Sequence, residues 1–389
     1  MDYLIIGAGL SGSVIARQLA ETGSRVTIWE RRNHIGGNMY DSRDAYGILI
    51  HNYGPHTFHT NDPILFDYIC RFGSWQPYQL ICGTEIDGKF TPTPFNFTTI
   101  DMLYDKDEAI LLKRRLSDIF GDKETATVLE VMSSDDYFVR SYGELLFVKD
   151  YRPYTVKQWG IPPEKIDASV FKRVPLRFSY NERYFDDEYQ VIPKISYNEF
   201  FHNLLNHPLI TVKLNIDALK RLTISDDGEI LYLDNEPCNV PVIYTGPLDE
   251  LFHFAEGRLP YRSLNFEWHH ENVNSIQPYA VTAYPQVKDY TRITEYNKLL
   301  LQKTTGTTYA KEYSLAYTPG QGMEPYYPVL TTESQKQYAR YRQRIEKLND
   351  FYVCGRLADF KYYNMDQALA RALTLTDTII HRQIRKRSK

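Results

Sequence analysis

The feature that most constrains this chain is Gly7-Ala8-Gly9-Leu10-Ser11-Gly12, a G-x-G-x-x-G set directly behind the apolar run Tyr3-Leu4-Ile5-Ile6. That run reads as a buried parallel strand. Ser11 to Glu21 carries Val14, Ile15 and Leu19 at helical spacing, and Gly23 ends the helix. Arg25 to Glu30 alternates as a second strand, which places Glu30 18 residues after Gly12. A strand, a glycine turn, a helix and a strand within about thirty residues give the motif the context it needs. Gly7 permits the tight turn, Gly9 lets the backbone approach a pyrophosphate, and Gly12 lets helix and strand pack closely. The helix N-terminus offers N–H groups to phosphate charge, with Ser11 in its first turn. Glu30 accepts hydrogen bonds from an adenosine ribose. The unit is a Rossmann-type dinucleotide site.

Beyond it the pattern changes several times. A helix is expected from Asp62 to Phe72. A hairpin is expected over Thr84 to Phe97, turning at Asp87-Gly88. Residues from about 98 to 150 carry helical patterns such as Ala109 to Phe120. Pro153, Pro162 and Pro163 mark a loop region around Tyr154 to Trp159. Short β-rich, aromatic stretches such as Ile230 to Leu233 and Tyr279 to Thr282 suggest an antiparallel sheet. Val240 to Tyr244 and Phe351 to Arg356 read as core strands. Ser334 to Leu348 and Asp366 to Arg385 read as helices. The expected fold class is therefore α/β: a Rossmann-like dinucleotide-binding domain with a small helical subdomain and a twisted antiparallel β-sheet domain. Its expected parts are residues 1–75 for the first part of the dinucleotide-binding domain and 98–165 for the helical subdomain. Residues 170–235 and 260–330 are expected to form the sheet domain, and 236–259 with 331–389 to complete the dinucleotide-binding domain.

Composition excludes more than it selects. With 389 residues the chain has room for two or three units of about 150 residues. A formal net charge of −4 gives no basic face for nucleic acid, and the one basic run, Arg382 to Lys389, reads as a solvated tail. Cys70, Cys82, Cys238 and Cys354 form no C-x-x-C pair, so neither a zinc cluster nor a dithiol motif is visible, and a reducing cytoplasm fits. No leader and no apolar run long enough to span a membrane is expected. The chain has 32 tyrosines, and a cluster of them suits a site that is both apolar and hydrogen-bonding.

Arg31 to Asn38 includes Gly36-Gly37 just past Glu30. This G-G turn resembles the FAD signature of glutathione-reductase-like and amine-oxidase-like flavoproteins, and no second G-x-G-x-x-G marks a separate NAD(P)H domain. The glycine strand at Gly355-Arg356 and the helix opening near Asp366 look like the second FAD contact of those proteins.

An ordered series of segments follows: Gly54-Pro55-His56-Thr57-Phe58-His59-Thr60, Tyr154-Thr155-Val156-Lys157-Gln158-Trp159-Gly160 and Lys172-Arg173-Val174-Pro175. Tyr184-Phe185, Tyr244-Thr245-Gly246-Pro247, Tyr290-Thr291-Arg292, Pro325-Tyr326-Tyr327-Pro328 and Gly355-Arg356 through Tyr362-Tyr363-Asn364-Met365-Asp366 complete it. The series resembles the bacterial UDP-galactopyranose mutase family nearly end to end. The resemblance implies a non-redox use of FAD in its reduced form. The flavin N5 attacks the anomeric carbon, UDP leaves, and the sugar ring reopens and recloses as a furanose before UDP returns. It implies Arg173 and Arg292 on the diphosphate, with Arg173 on a closing loop. Tyr184, Tyr326 and Tyr362 hold the phosphates, while Tyr154, Thr155 and Trp159 wall the uridine and substrate. Asn364 stands at a substrate position. His56 and Arg356 lie at the flavin and act in catalysis. Gly7, Gly9, Ser11, Gly12, Glu30, Arg31, Gly37, Asn38, His56, Arg356, Met365 and Asp366 bind the cofactor. His56 and His59 form an H-x-x-H pair with no acidic or cysteine partner spaced nearby, so no metal is expected.

This chain departs from the family pattern at Asn364, where an acidic residue is frequent, and at Ala283 and Gln79, where asparagines are usual. These changes leave the sugar and base open: dTDP-fucopyranose or UDP-N-acetylgalactosamine are alternative substrates, and an amine-oxidase-like oxidoreductase is the alternative chemistry. An external reductant such as NAD(P)H is implied, the relatives leave room for a homodimer, and the furanose product would supply cell-surface polysaccharide.

Overall fold

The computed structural model describes residues 2–162 and 174–387. Five parallel strands form the central sheet, in the order Ile210–Lys213, Arg25–Trp29, Asp2–Ile6, Val242–Tyr244, Phe351–Val353. The first strand is buried from Tyr3 to Ile6, as a strand covered on both faces must be. One face carries the helices Leu10–Glu21, Tyr197–Leu205 and Met365–Arg387 around a core that includes Ile5, Val14, Ile15, Phe201 and Leu369. The other face packs Leu4, Trp29, Tyr244 and Leu248 beneath the helix Thr332–Ile345 and a small three-stranded sheet.

Residues 97–159 hold the helices Phe97–Leu103, Lys106–Phe120, Val128–Met132, Tyr137–Leu146 and Arg152–Trp159. Asn96, Asp105, Thr127 and Asp136 cap the first four through side-chain acceptors. The last two helices are joined by a π-helical turn, Phe147–Tyr151. The segment from Tyr154 to Trp159 is thus helical, not a loop. Pro153 follows closely on the π-helical turn, so the helix continues past a residue that has no N–H to donate.

The large sheet has seven strands, in the order Tyr327–Pro328, Tyr261–Glu271, Thr307–Ala316, Arg292–Glu295, Val281–Ala283, Cys82–Ile86, Lys89–Thr93. Its pairings are antiparallel except for Val281–Ala283 on Cys82–Ile86, which is parallel. The Asp87-Gly88 turn joins the last two strands, with φ of 51° and 77° as a type I′ turn requires.

The described residues of 170–235 do not join this sheet. Ile210–Lys213 extends the parallel sheet, and Tyr197–Leu205 is a helix buried against the Leu10–Glu21 helix. The helix was signalled locally by Ser196, whose hydroxyl accepts from the Glu199 N–H as an N-cap. The strand gave no such signal, because four alternating residues fit a parallel edge as well as an antiparallel one. Leu222–Ile224, Leu231–Leu233 and Glu236–Pro237 pair antiparallel in a separate small sheet, Tyr189–Pro193 pairs antiparallel with Phe58–Thr60 and Trp75–Pro77, and Leu176–Arg177 pairs antiparallel with Thr125–Ala126.

Candidate active site

Four strands of the parallel sheet end at one place. Gly7 follows the first, Glu30 the second, Thr245 the Val242–Tyr244 strand and Gly355 the Phe351–Val353 strand, and all four residues line a cavity of about 240 Å³. A crevice at the carboxyl ends of parallel strands is the expected ligand position in such a sheet. Gly9 opens the Leu10–Glu21 helix with no side-chain cap, so the N–H groups of its first turn are left for a ligand. A Cβ on Gly12 would meet the Gly7 carbonyl oxygen at 2.0 Å, and one on Gly37 would meet the Gly9 Cα at 2.9 Å. The glycines thus bring three backbone segments together beneath the cavity. The Glu30 carboxylate accepts from the Ala8 N–H at 2.8 Å and the Arg32 N–H at 2.9 Å, which locks the glycine turn onto the end of the second strand. Each of its oxygens keeps a lone pair for a further donor.

Gly7, Gly9, Ser11, Gly12, Glu30, Arg31, Gly37, Asn38, His56, Arg356 and Met365 all line this cavity. Asp366 lines neither cavity; it sits in the first turn of the Met365–Arg387 helix, where burial raises its carboxyl pKa. Glu324, which the sequence did not single out, pairs with both Arg31 and Arg32, so the 324–326 strap is tied across the cavity.

A second cavity, of about 340 Å³, lies between the helices and the large sheet. His56, Tyr326, Arg356, Asn364 and Met365 line both cavities and form the seam between them. Tyr154, Thr155, Trp159, Tyr184, Arg292 and Tyr362 line the second. Arg173 lies outside the described residues. Ala283 is on the cavity wall, but Gln79 is exposed and lines neither cavity. Gln79 therefore carries less weight than Ala283 as a departure from the family pattern.

Arg292 presents its guanidinium on Glu312, with Nε at 2.9 Å and Nη2 at 2.8 Å from one carboxylate oxygen. Burial opposes the charge, but Glu312 outweighs it and the pKa rises. Arg356 donates to the Tyr363 carbonyl oxygen at 2.5 Å and lies 5.3 Å from the centroid of the Tyr362 ring. Trp159, Tyr327 and Tyr362 meet at centroid distances of 5.2 to 5.6 Å.

His56 Nδ1 lies 2.8 Å from the Gly54 carbonyl, which requires the proton on Nδ1 and leaves Nε2 as an acceptor. Burial, with Arg356 and Arg292 nearby, pushes its pKa down to about 4. The ring is therefore neutral near pH 7, and the positive charge around it comes from Arg356 at the seam and Arg292 in the second cavity. His59 pairs with Asp187 at 2.8 Å and stacks on Phe185. Among the described residues no group of three His, Cys, Asp or Glu side chains is placed to hold a metal, and no helix is long and apolar enough to cross a membrane.

Two further side chains escaped the sequence reading. Lys157 points away from the ligand space and donates to the carbonyls of Tyr284, Val287 and Tyr290 at 2.5, 2.6 and 2.8 Å, with burial pushing its pKa down to about 8. Asp150 lines the second cavity and accepts from the Thr84 hydroxyl at 2.7 Å. Burial pushes its pKa up to about 6, against the Thr84 hydrogen bond and the charge of Lys157.

The family model for UDP-galactopyranose mutase matches residues 149–362, and a model for an NAD(P)-binding Rossmann-like domain matches residues 5–72. A UDP-galactopyranose mutase of Mycoplasma pneumoniae is 35% identical over 386 residues, covering 97% of this chain and 96% of its own length. The chain belongs to the UDP-galactopyranose mutase family. It is an isomerase of that family of flavin-dependent sugar mutases, which take nucleotide-sugar substrates. A dTDP-fucopyranose mutase of Escherichia coli is 34% identical over 373 residues, covering 95% of this chain and 96% of its own length. Among solved structures, a reduced UDP-galactopyranose mutase superposes with a TM-score of 0.71 at 16% identity, covering 98% of this chain and 95% of that one. A putrescine oxidase superposes with a TM-score of 0.59 at 11% identity, covering 98% and 99%. Both likenesses speak to the fold alone.

Proposed function

We propose that this chain interconverts the pyranose and furanose forms of UDP-galactose with FAD bound in its reduced state. The observation that carries the reading is the seam: the cavity behind the glycine turn and the cavity beside Arg292 share His56, Tyr326, Arg356, Asn364 and Met365. A cofactor in one and a nucleotide sugar in the other would meet there. The glycine cradle and the uncapped helix start suit a pyrophosphate, and Glu30 suits the adenosine ribose. Reduced flavin, when bound, supplies a nucleophilic nitrogen, N5, for the anomeric carbon of the sugar.

The protein's own part is to bind, orient and keep water out. Arg292, fixed by Glu312, would neutralise the diphosphate as UDP departs and hold it for return. Arg173 would be the second cation on the same group. Tyr184, Tyr326 and Tyr362 would hold phosphate oxygens through their hydroxyls. Tyr154, Thr155 and Trp159 would wall the nucleoside. His56 Nε2 would accept a proton or hydrogen bond at the seam, Arg356 would supply charge there, and Met365 with Asp366 would open the helix facing the flavin. Asn364 would contact the sugar. The catalysis needs an external reductant such as NAD(P)H and would run in the cytoplasm, as a monomer or a homodimer.

Ala283 favours a second reading. It sits beside Arg292 on the cavity wall and lacks an amide, so a mutase acting on a related sugar such as dTDP-fucopyranose follows from the same chemistry. The deciding assay uses purified, dithionite-reduced enzyme under anaerobic conditions with UDP-galactofuranose, following UDP-galactopyranose by chromatography. Conversion in the reduced sample and none in the oxidised control is the expected result. Flavin-containing enzyme that converts neither UDP-galactofuranose nor dTDP-fucofuranose, but oxidises a substrate with oxygen, would instead assign the oxidase chemistry.

A further inference from the structure

The large sheet sets a direction inside the substrate cavity. Glu312 pairs with Arg292, Arg292 with Ala283, and Ala283 with Thr84, so these four stand in one row across neighbouring strands. Arg292, Ala283 and Thr84 line the cavity. With strands about 4.8 Å apart, Thr84 lies about 10 Å from Arg292 along the row. A diphosphate on Arg292 with its hexose at the seam therefore sends its ribose and base towards Thr84.

Asp150 waits at that end. The π-helical turn Phe147–Tyr151 carries it over the sheet, and such turns redirect side chains out of helical register. Its carboxyl accepts from the Thr84 hydroxyl, and among the described residues that is its one hydrogen bond. A carboxylate drawn out of water needs further donors. The neighbouring polar groups are committed elsewhere: the Tyr151 hydroxyl donates to the Val174 carbonyl at 2.7 Å, and Lys157 is held by three carbonyls. Ala283 offers no polar group. Nothing in the isomerisation gives Asp150 a task.

We infer that Asp150, oriented by Thr84, reads the ring N–H of a uracil or thymine at the far end of the cavity, an inference that rests on the nucleotide-sugar reading above. An ionised aspartate only accepts, and the Thr84 hydroxyl has spent its proton on Asp150. The base edge presented here must donate. Uracil and thymine carry N3–H, whereas cytosine presents an acceptor at N3. The two strand spacings from Arg292 suit a ribose and one six-membered ring, which selects the pyrimidines over guanine.

Binding of UDP, dTDP, CDP, GDP and N3-methyl-UDP to oxidised, flavin-loaded enzyme at pH 8, followed by calorimetry, tests this. UDP and dTDP should bind at least about tenfold more tightly than CDP, GDP or N3-methyl-UDP, the usual scale for a buried acceptor left unpaired. Asp150→Ala should bring UDP and N3-methyl-UDP to within about twofold of each other. Thr84→Val, which keeps the carboxyl but frees its orientation, should lose part of the preference and carries the test if Asp150→Ala does not fold. Equal binding of UDP and N3-methyl-UDP to the unaltered enzyme overturns the inference, as does GDP binding as tightly as UDP or a full preference retained in Asp150→Ala; the mutase reading survives each of these. Failure of every nucleoside diphosphate to bind overturns both.

Discussion

Arg292 and Glu312 face each other across adjacent strands, with the guanidinium 2.8 Å from a carboxylate that is itself 1% exposed. The pair holds a cation on the cavity wall. Arg292→Ala should weaken UDP binding by about 2–5 kcal/mol, because it removes the diphosphate's partner and strands the Glu312 charge. Arg292→Lys should recover only part of the loss, since an ammonium cannot bridge Glu312 and a phosphate as a planar fork does. Titration calorimetry with UDP distinguishes these outcomes; a loss under twofold in the alanine variant would remove Arg292 from the diphosphate site.

Glu30 holds the glycine turn through the Ala8 and Arg32 amides. Glu30→Ala orphans both N–H groups, at about 1–3 kcal/mol for a buried donor. The purified variant should retain less flavin and melt at lower temperature. Absorbance at the flavin band against protein concentration, with a melting curve, measures both. Normal flavin content would show that the turn keeps its shape without the carboxylate.

Gly12→Ala should be more damaging than its size suggests. Its Cβ would sit 2.0 Å from the Gly7 carbonyl oxygen, a backbone atom that cannot swing aside. The helix must lift from the first strand, and the variant should be recovered apo or insoluble. Gly23→Ala is the control: no atom lies within 4 Å of the added carbon, but φ of +85° makes the residue strained. It should cost about 1 kcal/mol and leave flavin binding intact. Flavin content near one per chain in Gly12→Ala would contradict this.

Acid stability carries two opposed contributions. His56 has its pKa lowered to about 4 from 6.5, so the folded protein binds fewer protons than the unfolded chain between those values, and stability falls as pH drops through that window. Asp150, Asp41 and Asp249 are raised to about 6 from 3.8, so their contribution is full at low pH and is lost as pH rises from 3.8 to 6. Urea unfolding between pH 4 and 7 should therefore show a flatter acid loss in His56→Asn and a steeper one in Asp150→Asn. Identical pH slopes in both variants and the parent would show that neither group titrates as its surroundings dictate.

Lys157 ties the Arg152–Trp159 helix to the turn between two strands of the large sheet. Lys157→Met should destabilise the fold by about 2–4 kcal/mol through lost charge-assisted bonds and weaken UDP binding only through the displaced wall. Chemical unfolding with calorimetry separates the two effects; unchanged stability would make the three carbonyl contacts incidental.

The sequence by itself determined the cofactor-side architecture, because its chemistry is local. The glycine turn, the helix behind it and Glu30 fall within the first thirty residues, and each acts on its near neighbours in the chain. The ordered motifs also marked most of the residues that line the second cavity, including Tyr154, Arg292 and Tyr326. What only the tertiary structure decided was register and pairing. Nothing in residues 210–213 distinguishes an edge of the parallel sheet from a strand of the large one, because a four-residue alternation is satisfied by either neighbour. Nothing local pairs Arg292 with Glu312, joins Thr84 to Asp150 across 66 residues, or commits Lys157 to three carbonyls rather than to a ligand. Those roles depend on which strands lie side by side and on a π-helical turn, and both are set by the packing of distant segments.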